Sequence, residues 1–192
     1  MKRSHLVKIT MIVLFSLSSV GVVGGSFFLR KAFSSNSQSK IVTETSRYGE
    51  IRHQLWLSQD EIQHFPSEIT ADTQNVRIAY SPENSPTGGY FQARLKKSPA
   101  QIQKLLTQYR KQAKHQYRGG DTNNHANLPN GVPTTFFYTS DSETESFPPA
   151  YEILVLNAQD QGTPGFKWNH GNSYGVAIDS SASEIVYWAE KW

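Results

Sequence analysis

Apolar and polar positions divide this chain into two unlike parts. Residues 9–29 are 21 consecutive positions without a charge. As a helix rising ~1.5 Å per residue they reach about 31 Å, the thickness of a bilayer's hydrocarbon core. Lys2, Arg3 and Lys8 precede the run, and Arg30 with Lys31 close it. The basic excess on the leading side keeps the N-terminus cytoplasmic and puts everything after Lys31 outside. The expected transmembrane helix carries Ile9, Leu14, Phe15, Gly21, Gly25, Phe28 and Leu29. Gly21 and Gly25 form a GxxxG pair, which lets two such helices approach closely. The alternative is a cleaved signal peptide, cut near Val23 and Gly25 or Val22 and Gly24. The continuation of the run through Phe27, Phe28 and Leu29 to a basic stop favours the retained span.

Beyond Lys31 the pattern turns polar, and residues 34–46 offer few apolar anchors. Residues 32–49 therefore read as a tether between a 1–31 anchor and an exported domain over residues 50–192. Ser58 and Glu61 have capping-box spacing, so a short helix is expected over residues 59–64, ending before Pro66. Residues 76–80 and 90–96 alternate as strands do, with Gly88 and Gly89 in the turn between them. Ser98 then fits an N-cap and Pro99 the first helical position. Ile102, Leu105, Leu106, Tyr109, Ala113 and Tyr117 recur at helical spacing, which predicts a helix of about 20 residues ended by Gly119-Gly120. Strands are expected over residues 135–139, 152–156, 173–179 and 184–190, the last two as a hairpin turning at residues 180–183. The fold class is α+β: an antiparallel or mixed sheet of about six strands packed by one long amphipathic helix.

Composition changes the picture in two ways. The chain has no cysteine, which excludes disulfides, thiolate metal sites and a cysteine nucleophile. After Lys31 there are 20 aromatic residues against 23 Ile, Leu and Val. Aromatics must therefore fill about as many core positions as aliphatics do.

The net charge of +3 suggests a nucleic-acid partner until it is divided. Residues 1–31 hold five of the 19 basic residues and none of the 16 acidic ones, so the remaining 161 carry −2. Nucleic-acid binding loses its support. Within the exported part, residues 85–120 hold eight basic side chains and no acidic one. A solvated helix face beside acidic loops is the plain account. The sharper one is a basic helix at residues 98–118 that meets a protein or anionic partner, either lipid headgroups or a polymer.

Candidate chemistry centres on residues 168–175. Gly171, Ser173 and Gly175 match GxSxG, the nucleophile elbow. That motif needs a helix after the serine, whereas Val176-Ala177-Ile178 reads as strand, and no histidine follows to complete the chain order. A turn is the plainer account, with Trp168, Asn169, His170, Ser173 and Tyr174 as candidate binding residues and no catalytic residue assigned. A small hydrolase or metal-dependent enzyme centred on His170 and Ser173 is the alternative. His115, Asp121, His125 and His170 are the candidate metal ligands, although no HExxH pattern occurs. Asp141, Glu143 and Glu145 alternate in an acidic stretch that lacks EF-hand spacing. No cofactor and no metal is expected.

Five segments together resemble a known set. They are His64-Phe65-Pro66, Gly88-Gly89-Tyr90-Phe91-Gln92, Trp168-Asn169-His170-Gly171, Tyr174-Gly175-Val176-Ala177-Ile178 and Glu184-Ile185-Val186-Tyr187-Trp188-Ala189-Glu190. They are similar to uncharacterised bacterial proteins that pair an N-terminal membrane segment with one small exported domain. The likeness spans residues 64–190 and implies that architecture, without an activity or ligand. The expected function is therefore binding or interaction outside the membrane, without catalysis.

Overall fold

Strand pairing organises this molecule. The computed structural model describes residues 40–192 other than 43–44, 71–72, 87, 121–130 and 143–144, with backbone alone for 40–42. Residues 9–29, with Ile9, Leu14, Phe15, Gly21, Gly25, Phe28 and Leu29, lie outside the described residues. Among the described residues no helix is long and apolar enough to cross a membrane.

The elements in chain order are β1 (Lys40–Val42), α1 (Arg47–Glu50), a π-helical turn (Ile51–Leu55), a 3-10 turn (Gln59–Ile62), β2 (Gln74–Ser81) and β3 (Gly89–Lys96). Then come α2 (Pro99–Gln112), β4 (His115–Arg118), β5 (Glu152–Asp160), β6 (Gly171–Asp179) and β7 (Glu184–Lys191). They form one antiparallel sheet in the order β1-β2-β3-β7-β6-β5-β4. β1 adds only three residues at one edge, so six longer strands carry the sheet. The fold is α+β.

Both faces of the sheet are covered, and the alternation of β7 shows how. Ile185, Tyr187 and Ala189 point to one face, packed with Phe91, Leu95, Val176, Ile102, Leu106 and Tyr109 beneath α2 and the N-terminal helical turns. Val186 and Trp188 point to the other, packed with Ile153, Val155, Phe137, Phe147 and Tyr151. Period-two alternation thus feeds two separate cores from a central strand. A β-bulge between Val155 and Asn157 shifts the parity of β5, so Val155 and Ala158 both serve the second face.

The packed unit begins earlier than residue 50. Tyr48 in α1 is 2% exposed, and its hydroxyl donates to the Pro66 carbonyl oxygen at 2.6 Å. Three local expectations also need correction. Ser98 caps α2 in a capping box with Gln101, but the helix stops at Gln112 instead of Tyr117. Ala113 is extended (φ −66, ψ 129), the Lys114 N–H donates to the Val155 carbonyl, and residues 115–118 pair with β5. Sheet pairing at an open edge outcompetes another helical turn, and Tyr117 joins the second core.

The second correction concerns residues 135–139, which form no strand. Thr134, Thr135 and Thr139 are buried, and the backbone here bonds to side chains of the sheet. The Gln92 amide donates to the Phe136 carbonyl and accepts from the Thr139 N–H, both at 2.9 Å. Arg94 donates to the Thr139 carbonyl at 3.2 Å. Side chains satisfy the backbone, so a neighbouring strand is not required. Third, Ser58 does not cap the turn that follows it. Its N–H and hydroxyl, with the Leu57 N–H, all donate to the Glu83 carboxylate at 2.6–2.9 Å.

Candidate functional site

β6 separates the residues of the GxSxG stretch because adjacent strand positions face opposite ways. Ser173 is 1% exposed on the second face, where its oxygen accepts from the Trp188 indole at 3.4 Å. Tyr174 faces the helical layer and stacks on His64 with ring centroids 5.5 Å apart. His170 is exposed, ahead of the strand, and its carbonyl accepts from the Gln161 N–H at 2.9 Å. Trp168 has φ +63, and its carbonyl accepts from the Trp192 indole at 2.5 Å. The Asn169 side-chain oxygen accepts from the Thr163 N–H at 3.0 Å. Trp168, Asn169 and His170 thus form one pinned loop, while Ser173 and Tyr174 belong to opposite faces. A buried serine whose hydroxyl meets an indole offers no nucleophile to a substrate.

The proposed cation ligands are also dispersed. His115 lies on β4, exposed, with its ring beside Tyr117, and does not project from the basic helix. Asp121, His125 and Glu143 lie outside the described residues. Asp141 is engaged by Arg77 and by Arg94, the latter at 2.7 Å, and these guanidiniums hold its carboxyl below the usual range. Among the described residues no three His, Asp or Glu side chains converge as a metal site would require.

A groove does exist on the helical face. It opens between α2 and the stretch following the 3-10 turn, with a volume of about 310 Å³. His64 and Tyr187 lie at its base, and Lys97, Gln101, Lys104 and Gln108 line its side. His64 Nε2 donates to the Gly175 carbonyl at 2.9 Å, beside the β5 bulge. Burial pushes the imidazole down to about 4, so it is neutral at physiological pH. The base of the groove is therefore aromatic and uncharged, and its charge comes from Lys104 on α2 and from Lys97 just before it.

That charge follows from the helical period. Gln101, Lys104, Gln108 and Lys111 recur every three or four residues along α2, and Lys97, just ahead of the Ser98 cap, borders the same groove and prolongs this stripe of lysine and glutamine. Neighbouring cations are committed elsewhere. Arg110 grips Glu152 with two bonds of 2.5 and 2.7 Å, Lys114 bonds Asn157 at 2.5 Å, and Arg94 holds Glu184. Lys97, Lys104 and Lys111 have no ion-pair partner among the described residues. The basic feature expected over residues 98–118 thus contracts to this ridge, since residues 115–118 are strand.

Sequence reasoning missed His64 as a groove residue and Glu190 as a buried acid. Glu190 accepts from the Tyr138 hydroxyl at 2.5 Å, and burial raises its carboxyl to about 7. Its one signal is position, because it lies in an otherwise apolar central strand whose opposite end carries buried Glu184. Comparison with protein-family models, curated proteins and solved structures found no match.

Proposed function

We propose that this chain is a membrane-held binding module whose exported domain takes a chain-like polyanion along α2, without catalysis. The supporting observation is the stripe of Lys97, Lys104 and Lys111, unpaired among the described residues while the arginines beside it are neutralised. Lys104 and Lys111 are seven residues apart, about 10 Å along a helix axis. A compact anion spans one of them; a polymer with repeated charges reaches both. Gln108 offers a donor and an acceptor for its neutral polar groups, and Gln101, whose oxygen is held by Ser98 in the capping box, offers its amide N–H groups. Retention at the membrane rests on residues 9–29, and the outward placement of the domain on the basic excess before them.

The enzyme alternative centred on His170 and Ser173 has less support, since one residue is exposed and the other buried against Trp188. The test uses the full chain in nanodiscs of zwitterionic lipid, titrated with fluorescent dextran sulfate and, separately, with inorganic phosphate. The expected result is saturable binding of the polymer, weak binding of phosphate, and loss of polymer binding in Lys104→Glu/Lys111→Glu. Equal binding by that variant contradicts the proposal.

A further inference from the structure

The rim where the chain enters the folded unit also exposes its large apolar side chains. Lys40 in β1 pairs with Tyr80 near the end of β2, and the neighbouring Ser81 continues the row through Tyr90 to Glu190 near the end of β7. The loop over residues 161–170 lies at the same end, because Asp160 faces Gly171 and Asn172 faces Lys191. Leu57 is fixed there, since its N–H donates to Glu83 Oε1 at 2.6 Å and Glu83 Oε2 accepts from Lys191 at 2.5 Å. Among the described residues, the exposed large hydrophobics are Leu57 at 74% and Phe166 at 44%. One exposed apolar side chain needs no explanation. Two at a single rim, both near pinned backbone and one followed by Lys167 and Trp168, have the composition of a membrane-interface contact.

Chain length supplies the occupant. Eight residues, 32–39, separate Lys31 at the end of the apolar stretch from Lys40. Covalent geometry limits their reach to at most about 28 Å. A span retained at residues 9–29 therefore keeps this rim close to the bilayer surface. Lys97 belongs to the opposite rim, because it follows Lys96, which pairs with Glu184 at the far end of β7.

We infer that Leu57 and Phe166 enter the headgroup–acyl boundary of the bilayer, so the domain stands with its lysine ridge directed away from the lipid. This rests on the reading of residues 9–29 as a retained anchor. It also assigns the ridge to a polymer beyond the membrane, since lipid headgroups would meet the other end of the sheet.

The absence of cysteine makes the test direct. Leu57→Cys, Phe166→Cys and Lys104→Cys each give a single site for an environment-sensitive fluorophore in the full chain, placed in phosphatidylcholine–phosphatidylglycerol nanodiscs. All three side chains are solvent-exposed, so the labels displace no core packing. The expected result is blue-shifted emission at 57 and 166, mostly lost when acyl-chain nitroxide lipid is included, with emission at 104 unchanged. Unquenched labels at 57 and 166, or quenching at 104 in their place, overturn the assignment. Alkaline extraction of the same chain from vesicles separates the causes. A chain that stays in the membrane with 57 and 166 unquenched defeats the rim assignment alone; a released chain defeats the anchor and the assignment with it.

Discussion

Trp188 occupies the space a β-carbon on Gly175 would need. Its Cη2 and Cζ2 would stand 2.7 and 2.8 Å from that carbon, and the Leu154 carbonyl oxygen would be closer still. Gly171 is constrained in the same manner by the Gln159 carbonyl. Both glycines of the GxSxG match are therefore present for strand and indole packing, and the serine between them is a core residue. Gly175→Ala should lose about 1–3 kcal/mol through overpacking. Ser173→Ala should lose about 1 kcal/mol, since it strands one buried indole N–H. Urea denaturation of the two variants, read by tryptophan fluorescence, checks both values and their order.

Glu190 gives the fold an inverted pH response. Its carboxyl is raised by burial to about 7 from an ordinary value of 4.5. Between those values the native state holds a proton that the unfolded chain has released, so this group's stabilisation is complete below 4.5 and lost as pH rises through 7. The span is on the order of 3 kcal/mol. His64 works oppositely in an overlapping window. Lowered to about 4 from 6.5, it contributes stability that is lost as pH falls below 6.5. Comparing Glu190→Gln with the native sequence isolates the acid. The variant should become relatively more stable between pH 5 and about 8, measured as the difference in denaturation midpoint; a flat difference refutes the effect.

Arg94 ties the second face together. It bonds Glu184, Asp141 and the Thr139 carbonyl, and its guanidinium lies 5.3 Å from the Phe137 ring centroid. Glu184 also accepts from the Tyr151 hydroxyl at 2.6 Å and is 5% exposed. Arg94→Met leaves that buried carboxylate with Lys96 at 3.9 Å as its remaining cation, which should cost about 3 kcal/mol, the low end for breaking a buried pair. Arg94→Lys should recover part of the loss, because an ammonium cannot match the planar fork. Thermal unfolding of the two variants at pH 7 gives the comparison.

Local chemistry made most elements readable. The Ser98-Pro99 start of α2, the strand run of β3 and the hairpin of β6 and β7 across residues 180–183 all follow from short-range rules. What escaped was decided at long range. Tyr117 continued a helical period but paired in β4 because the Val155 carbonyl and the β5 edge were within reach. Residues 135–139 had strand composition, yet Gln92 and Arg94 met their backbone from the sheet. Gly119, expected to stop the helix, is tied to the close approach of the Pro148 carbonyl instead. The lysine ridge was visible as charge, but which lysines stayed unpaired required knowing that Arg110 meets Glu152 across 42 positions.

The decisive quantity is the salt dependence of polyanion binding by the full chain in zwitterionic nanodiscs, measured by fluorescence anisotropy over a series of sodium chloride concentrations. If Lys97, Lys104 and Lys111 each displace a counterion, log affinity falls linearly with log salt. The triple variant Lys97→Gln/Lys104→Gln/Lys111→Gln then shows a slope shallower by about two to three and at least about a tenfold weaker affinity at 0.1 M salt. A variant that keeps the native slope and affinity contradicts the account.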